Sequence, residues 1–257
     1  MQSITSRDNP LIKQAVRLRE NASERRAQGL FFLEGYRLCA DALASGYATE
    51  TLFFTEAARR KYDVASLEAA AGRAVEITQP VAQKLGDTQT PQGIFSISAT
   101  KQLPGRLREM GKYMALEDVQ DPGNLGAVAR TAEALGLDGL IVSGGCDVYH
   151  PKALRASMGA LLRLPVMQAE NLPDTLRQSP LPCYAAVPDA DATPVTRCDF
   201  TRGGIAVIGN EGSGLSQNTI AACMHKITIP MCTCAQSLNA AAAAAIILWE
   251  MARNVEP

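Results

Sequence analysis

Histidine is scarce in this chain, with only His150 and His225 among its 257 residues. A Ser/His/Asp hydrolase needs an imidazole close to its nucleophile, and neither histidine lies beside a G-x-S-x-G elbow, so that chemistry is excluded. Long apolar runs are missing too. The longest, Ala240 to Trp249, falls well short of the ~20 residues that a bilayer-spanning helix needs. The opening segment MQSITSRDNP carries no hydrophobic signal region, so the expectation is a cytoplasmic protein, neither membrane-bound nor secreted. Cysteines number seven, at positions 39, 146, 183, 198, 223, 232 and 234, an odd and scattered set that makes no disulfide framework and suits a reducing cytosol. No G-x-G-x-x-G follows a predicted strand and no G-x-x-x-x-G-K-[ST] is present, which removes the main support for hydride transfer with a dinucleotide and for P-loop phosphoryl transfer.

A strong net charge is also lacking, but the total of −1 hides a division. Residues 1–112 carry 16 Lys and Arg against 12 Asp and Glu, whereas residues 113–257 carry 9 against 14. Net charge bears on partners rather than on fold, and a basic half joined to an acidic half predicts that the first part holds a polyanion.

The hydrophobic fraction, 47%, is ample for real cores. An Arg-rich helical stretch opens the chain, followed by a small α/β unit with helices at 36–45 and 64–71 and strands at 51–54 and 74–78. LPG near 103–105 reads as a hinge, which predicts a first domain over 1–105 and a second over 106–257. The second alternates strand and helix regularly, the pattern of a mostly parallel sheet covered on both faces. Its strands are expected at 113–119, 139–144, 164–168, 183–187, 203–210 and 225–231, and its helices at 125–135, 152–162, 216–224 and 237–254.

Polar residues that a buried sheet would exclude gather in three loops, each after a predicted strand: DPGNLGAVAR (121–130), GNEGSGLS (209–216) and IPMCTCAQSLN (229–239). Ligands of open α/β sheets bind at the carboxyl ends of strands, so the three are expected to converge on one site. Their order and spacing, with PKALRASMGALLRLPV between the first two, resemble the SpoU/TrmH family of RNA ribose 2′-O-methyltransferases. The N-terminal ITSRDNPLIKQAVRLRE with GLFFLEG is similar to the substrate-binding domain that precedes the catalytic domain in rRNA-modifying members. One departure is visible, Ala240 where the family usually has valine.

The resemblance implies a SPOUT-type parallel α/β domain with a deep trefoil knot, preceded by a smaller, ribosomal-protein-like α/β domain that binds RNA, the whole working as a homodimer through its C-terminal part. It implies S-adenosylmethionine as cofactor, held by main chain at Gly209, Ile229, Met231 and Leu238, and rRNA, in particular large-subunit rRNA, as substrate. Arg130 matches the arginine of the first motif. A guanidinium stays protonated, so its expected role is to bind phosphate and stabilise a developing alkoxide rather than to act as base. Asn124 and Glu211 would orient Arg130 and the ribose, and Ser237 and Asn239 would complete the polar wall.

Each of these residues also has a plainer reading: Asn124 and Ser237 as helix caps, Arg130 as a solvated surface arginine, Glu211 as a turn residue. For RNA, the expected phosphate contacts are Arg7, Lys13, Arg17, Arg25 and Arg26, with Lys152 and Arg155 in the second domain beside the catalytic cleft. Cys223, His225, Cys232 and Cys234 offer a zinc alternative, but their spacing matches no standard finger, and the expectation is no metal. Two other functions stay open: a tRNA ribose methyltransferase, and a non-catalytic ribosome-assembly factor on the same fold.

Overall fold

A computed structural model describes residues 2–101, 107–189, 191–232 and 237–253. The chain begins β1 (Gln2–Ile4), α1 (Pro10–Glu20), α2 (Ala22–Gln28), β2 (Leu30–Glu34), α3 (Tyr36–Ala44), β3 (Thr49–Phe54), α4 (Glu56–Lys61), α5 (Val64–Ala70), β4 (Arg73–Ile77), α6 (Gln79–Leu85) and β5 (Ile94–Ala99). It continues β6 (Lys112–Glu117), α7 (Pro122–Ala134), β7 (Gly139–Ser143), α8 (Pro151–Ala156), α9 (Ala160–Arg163), β8 (Val166–Gln168), α10 (Leu172–Gln178), β9 (Cys183–Ala186), β10 (Thr193–Pro194), β11 (Gly204–Ile208), α11 (Gln217–Ala222), β12 (His225–Thr228) and α12 (Ala240–Ala252). Two compact units result, Met1–Gln102 with Tyr149–Arg163, and Leu103–Val148 with Leu164–Pro257.

The first unit has a five-stranded sheet in the order β1-β4-β3-β5-β2, with β5 antiparallel to both neighbours and the other pairs parallel. Asn9 starts α1 by accepting the Leu11 amide at 2.9 Å, and Pro10 supplies a φ suited to the first helical position. Ile12, Ala15, Val16 and Leu18 then fall on one face and pack into a core with Phe32, Phe53 and Phe95. Two of the opening arginines serve this packing. Arg25 is only 2% exposed, and its Nη1 donates to the carbonyls of Leu18 at 2.7 Å and Arg19 at 3.1 Å, where the end of α1 leaves acceptors open. Arg25 is therefore not presented to phosphate, contrary to the expectation for the arginine-rich opening. Arg19 is likewise engaged, by the carbonyls of Lys84, Leu85 and Gly86.

The single helix expected over 152–162 is two. Met158 and Gly159 adopt φ of 52° and 86° and break it, and a Cβ at Gly159 would lie 2.3 Å from Asp41 Oδ2. This segment folds with the first unit rather than with the residues that flank it in sequence: Arg163 pairs with Asp41 at 2.7 Å and Arg155 with Asp87 at 2.6 Å.

In the second unit seven strands run in the order β10-β12-β9-β11-β6-β7-β8, every pair parallel. All five residues of β11 are buried, as a strand covered on both faces requires. Tyr113, Ala115, Ile141, Cys183, Ile205 and Val207 form the centre of one core with Leu172 and Leu176 of α10. Gly136, at φ 69°, follows the end of α7, and Asp121 begins that helix by accepting the Gly123 amide. Helix α12 packs along α7, burying Ala244, Ile247, Leu248 and Met251. Its first described turn starts at Asn239, later than the expected start at 237, because the Asn239 side chain accepts the Ala241 and Ala242 amides.

Candidate active site

The site is built where β6, β11 and β12 end. After β6 the chain turns through Asp118 in the left-handed region, at φ 55°, and its carbonyl accepts the Asn210 side-chain amide at 2.9 Å. After β11 a tight hairpin closes, Asn210 and Gly214 exchanging both backbone hydrogen bonds at 3.1 and 2.9 Å. Asn210 Oδ1 fills the inside of this turn by accepting the amides of Gly212 and Ser213. A Cβ at Gly209 would sit 2.2 Å from the Gly214 carbonyl carbon, so the hairpin can fold back only on a glycine. At Gly212 the same methyl would meet Asn210 Oδ1 at an ordinary 3.5 Å.

Glu211 stands at the tip and reaches back to the first loop. Its carboxylate accepts the Gln120 amide at 3.0 Å, the Asp121 amide at 3.1 Å and the Asn124 side chain at 2.8 Å. Asn124 Oδ1 in turn accepts from Asn239 Nδ2 at 3.0 Å. One chain of polar contacts, Glu211 to Asn124 to Asn239, thus ties the three loops together. Partial burial works to raise the Glu211 pKa, but the hydrogen bonds from Gln120, Asn124 and Asp121 outweigh it and hold the carboxyl down at about 2. It is an anion at any physiological pH.

These contacts decide between readings that sequence left open. Asp121, not Asn124, caps α7, and Asn239, not Ser237, caps α12. Asn124 spends both ends of its amide on the other two loops, which a capping residue has no cause to do. Glu211 is more than a turn former for the same reason. Arg130 lies exposed on α7, past Asn124 by just under two turns, and makes no hydrogen bond or ion pair among the described residues.

Beside this chain of contacts opens a cleft of about 780 Å³, lined by Ala186–Asp189, Gly209–Leu215, Thr228, Ile229, Met231, Ser237, Leu238, Ala243 and Ile247, among others. All four residues expected to hold cofactor, Gly209, Ile229, Met231 and Leu238, are on its wall, together with Glu211 and Ser237. Ala240, the departure from the family pattern, also lines it. The volume lies in the range of small-molecule sites, and a wall of main chain, small residues and apolar side chains suits an adenosine-sized ligand read by amides and carbonyls. Sequence reasoning missed Ala186–Asp189. The signal was present, since CYAAV (183–187) is followed by Pro188–Asp189 at the carboxyl end of a strand.

The cations expected to meet RNA are engaged to different degrees. Arg17, Arg26 and Lys152 are exposed, Lys13 pairs with Asp8 at 3.1 Å, Arg7 donates to the Pro80 carbonyl, and Arg155 is engaged by Asp87. Among the described residues no group of three or more His, Cys, Asp or Glu is placed to hold a metal ion, and Cys234 lies outside them. His225 stacks on Tyr184 with ring centres 5.1 Å apart, and burial pushes the Cys223 thiol up to about 12, away from the thiolate a metal would bind. No helix among the described residues is long and apolar enough to cross a membrane.

Residues 111–249 match the SpoU rRNA Methylase family, and residues 9–96 match the MRM3-like substrate binding domain. The chain belongs to the SpoU rRNA methylase family. An uncharacterized tRNA/rRNA methyltransferase of Synechocystis sp. is 35% identical, over 98% of this chain and 94% of that one. The 23S rRNA (uridine(2479)-2′-O)-methyltransferase of Streptomyces viridochromogenes is 30% identical, over 98% and 92%. The structure of an AdoMet-bound rRNA methyltransferase from Sinorhizobium meliloti superimposes with a TM-score of 0.90 at 28% identity, covering 100% of this chain and 99% of that one. The matched range 111–249 contains all three loops that the Glu211, Asn124 and Asn239 contacts join.

Proposed function

We propose that this SpoU-family protein transfers the methyl group of S-adenosylmethionine to a ribose 2′-hydroxyl of large-subunit rRNA. The observation that carries the reading is the junction of the three loops through Glu211, Asn124 and Asn239 directly beside a cleft walled by Gly209, Ile229, Met231 and Leu238. The Streptomyces relative, named for 2′-O-methylation of 23S rRNA, and the AdoMet-bound Sinorhizobium structure support the choice of substrate and cofactor.

When bound in the cleft, S-adenosylmethionine supplies an electrophilic methyl group on a sulfonium. The chain's own residues have two tasks, to hold the acceptor in line and to ease the ionisation of a weak nucleophile. Glu211 keeps Asn124 fixed, and the anchored loop holds the first turn of α7 in place. Arg130, with no protein partner among the described residues, is available to pair with the phosphate of the substrate nucleotide and with the developing 2′-alkoxide. The proton passes to water or to the neighbouring phosphate, since the guanidinium cannot accept it. Leu238 and Ile229 give the cleft apolar wall, and Ser237 adds a hydroxyl to it.

The match of residues 9–96 to a substrate binding domain favours rRNA over the tRNA reading, and the intact polar chain disfavours a non-catalytic assembly factor. We further propose that the C-terminal segment is threaded as a trefoil knot. The match of residues 111–249 to the SpoU family supports this. A homodimer through the C-terminal part is supported by Ile246 and Trp249, spaced on one face of α12 and 39% and 57% exposed. Light scattering should report twice the 27.4 kDa chain mass, and a fully active monomer would refute the dimer. A cytoplasmic setting is part of the same proposal, supported by the likeness to the 23S rRNA methyltransferase of Streptomyces viridochromogenes.

The deciding experiment incubates the protein with radiolabelled S-adenosylmethionine and undermethylated large-subunit rRNA, then digests to nucleosides. Label should appear on a ribose 2′-oxygen. Label confined to a base, or none with any RNA, would overturn the reading.

A further inference from the structure

Glu117, the last residue of β6, lies outside the three loops, yet its carboxylate is committed to one of them. Oε2 accepts the Ser216 amide at 2.8 Å, and Oε1 accepts the Ser216 hydroxyl at 2.8 Å and the Thr219 hydroxyl at 2.5 Å. Ser216 is both the last residue of the GNEGSGLS loop and the cap of α11, where its Oγ accepts the Thr219 amide at 3.2 Å. Thr219 is fully buried. The loop is therefore braced at its tip and at its exit by carboxylates that run in opposite directions: Glu211 reaches from the tip to the first loop, and Glu117 reaches from the strand before the first loop to the exit at Ser216. Between the two braces lie Gly212, Ser213, Gly214 and Leu215, all on the wall of the cleft.

We propose that Glu117 is a positioning residue that fixes the exit of the Gly209–Ser216 loop and thereby sets the affinity for S-adenosylmethionine. The inference rests on the methyltransferase reading of this cleft. Its chemical basis is acceptor count. An ionised carboxylate takes all three hydrogen bonds at once. A glutamine amide has one oxygen, so its NH₂ must face either the Ser216 amide, donor against donor, or the two hydroxyls; in the second case Ser216 can turn its proton to Thr219 Oγ1 at 3.1 Å, but the buried Thr219 hydroxyl loses its carboxylate acceptor. An aspartate keeps the charge but is one methylene too short to span both Ser216 and Thr219. Because Glu117 does not line the cleft, its loss acts only through the geometry of the loop.

The test measures cofactor binding by calorimetry, apart from turnover, for wild type, E117Q, T219V, T219S and the E117Q/T219V double variant. The loss of one to two charge-assisted bonds should raise the Kd for S-adenosylmethionine about tenfold in E117Q. Under saturating cofactor kcat should stay within about threefold, because transition-state contacts are untouched. T219V should weaken binding in the same direction, T219S should restore it, and the double variant should be no weaker than E117Q, since both changes break one network. Wild-type protein that binds no S-adenosylmethionine would refute the methyltransferase reading itself. Wild-type protein that binds, with E117Q binding equally well, or with T219S as weak as T219V, or with additive losses in the double variant, would overturn the role of Glu117. Should E117Q fail to fold, the contrast between T219V and T219S decides alone.

Discussion

Replacing Glu211 by glutamine changes the shape of the side chain hardly at all, which makes E211Q the sharpest probe of the junction. The carboxylate serves three donors at 2.8 to 3.1 Å, two on Oε1 and one on Oε2. The amide can face only one side with its oxygen, so at least one donor loses its acceptor and meets an NH₂ instead. Charge-assisted bonds of this kind contribute about 1.5–3 kcal/mol where water is absent. Glu211 is exposed, so solvent competes, and about 1 kcal/mol of stability is the expected loss, a shift of a few degrees in melting temperature. The effect on catalysis should be larger, because Asn124 is held from both sides: a fall of about 30-fold in kcat/KM for RNA, or about 2 kcal/mol of transition-state stabilisation. The pH dependence is a second signature. With its folded pKa lowered from the ordinary carboxylate range to about 2, Glu211 stabilises the fold fully above pH ~4.5, and that contribution is lost as pH falls toward 2. Titrated unfolding of wild type and E211Q should therefore converge in acid and part at neutral pH, and the neutral limb of the rate profile should owe nothing to Glu211. Equal melting temperatures and equal kcat/KM at pH 7, or an acid limb near pH 6 that disappears in E211Q, would refute the reasoning.

R130A should abolish methyl transfer while cofactor affinity, measured by calorimetry, stays within about twofold; R130K should also be poor, because a point charge cannot replace the planar fork. G209A should lose cofactor binding and activity together, since its Cβ would press on the Gly214 carbonyl, and a G209A protein that binds normally would show that the hairpin can open without cost. R17E/R26E should weaken binding to an rRNA fragment and flatten its salt dependence, whereas R25A should lower stability by about 2–4 kcal/mol because the Leu18 and Arg19 carbonyls lose their donor. Salt series and thermal melts on the same variants separate the two effects.

Part of the site was legible in the sequence. The three loops were expected to converge because positions at the carboxyl ends of parallel strands do so, and Gly209, Ile229, Met231 and Leu238, which the resemblance to the SpoU/TrmH motifs implied for the cofactor wall, line the cleft. Arg25 shows where such reading stops. A cluster of arginines reads as a phosphate-binding face, yet one of them lies beneath the surface, since only the packing of α1 against α2 reveals which carbonyls need a donor. Residues 149–163 mislead in the same way. Their place in the chain puts them among the strands of the second unit, but the break at Met158–Gly159 and the pairs to Asp41 and Asp87 are contacts with residues about 70 to 120 positions earlier.

Composition and local pattern determined the class of this protein: alternating apolar runs demand a covered parallel sheet, and glycines with polar residues after its strands demand a site there. Those are short-range properties, decided by the period of side-chain burial and by which residues tolerate a tight turn. Which polar residue touches which was decided only in the tertiary structure. Glu211 and Glu117 are ordinary glutamates in sequence; one became the tie of the first loop and the other the brace of the second because parallel strands brought β6 and β11 side by side with their carboxyl ends in register. Hydrogen-bonding distance between residues about 90 to 115 positions apart is a property of that register, and no pattern within a loop contains it.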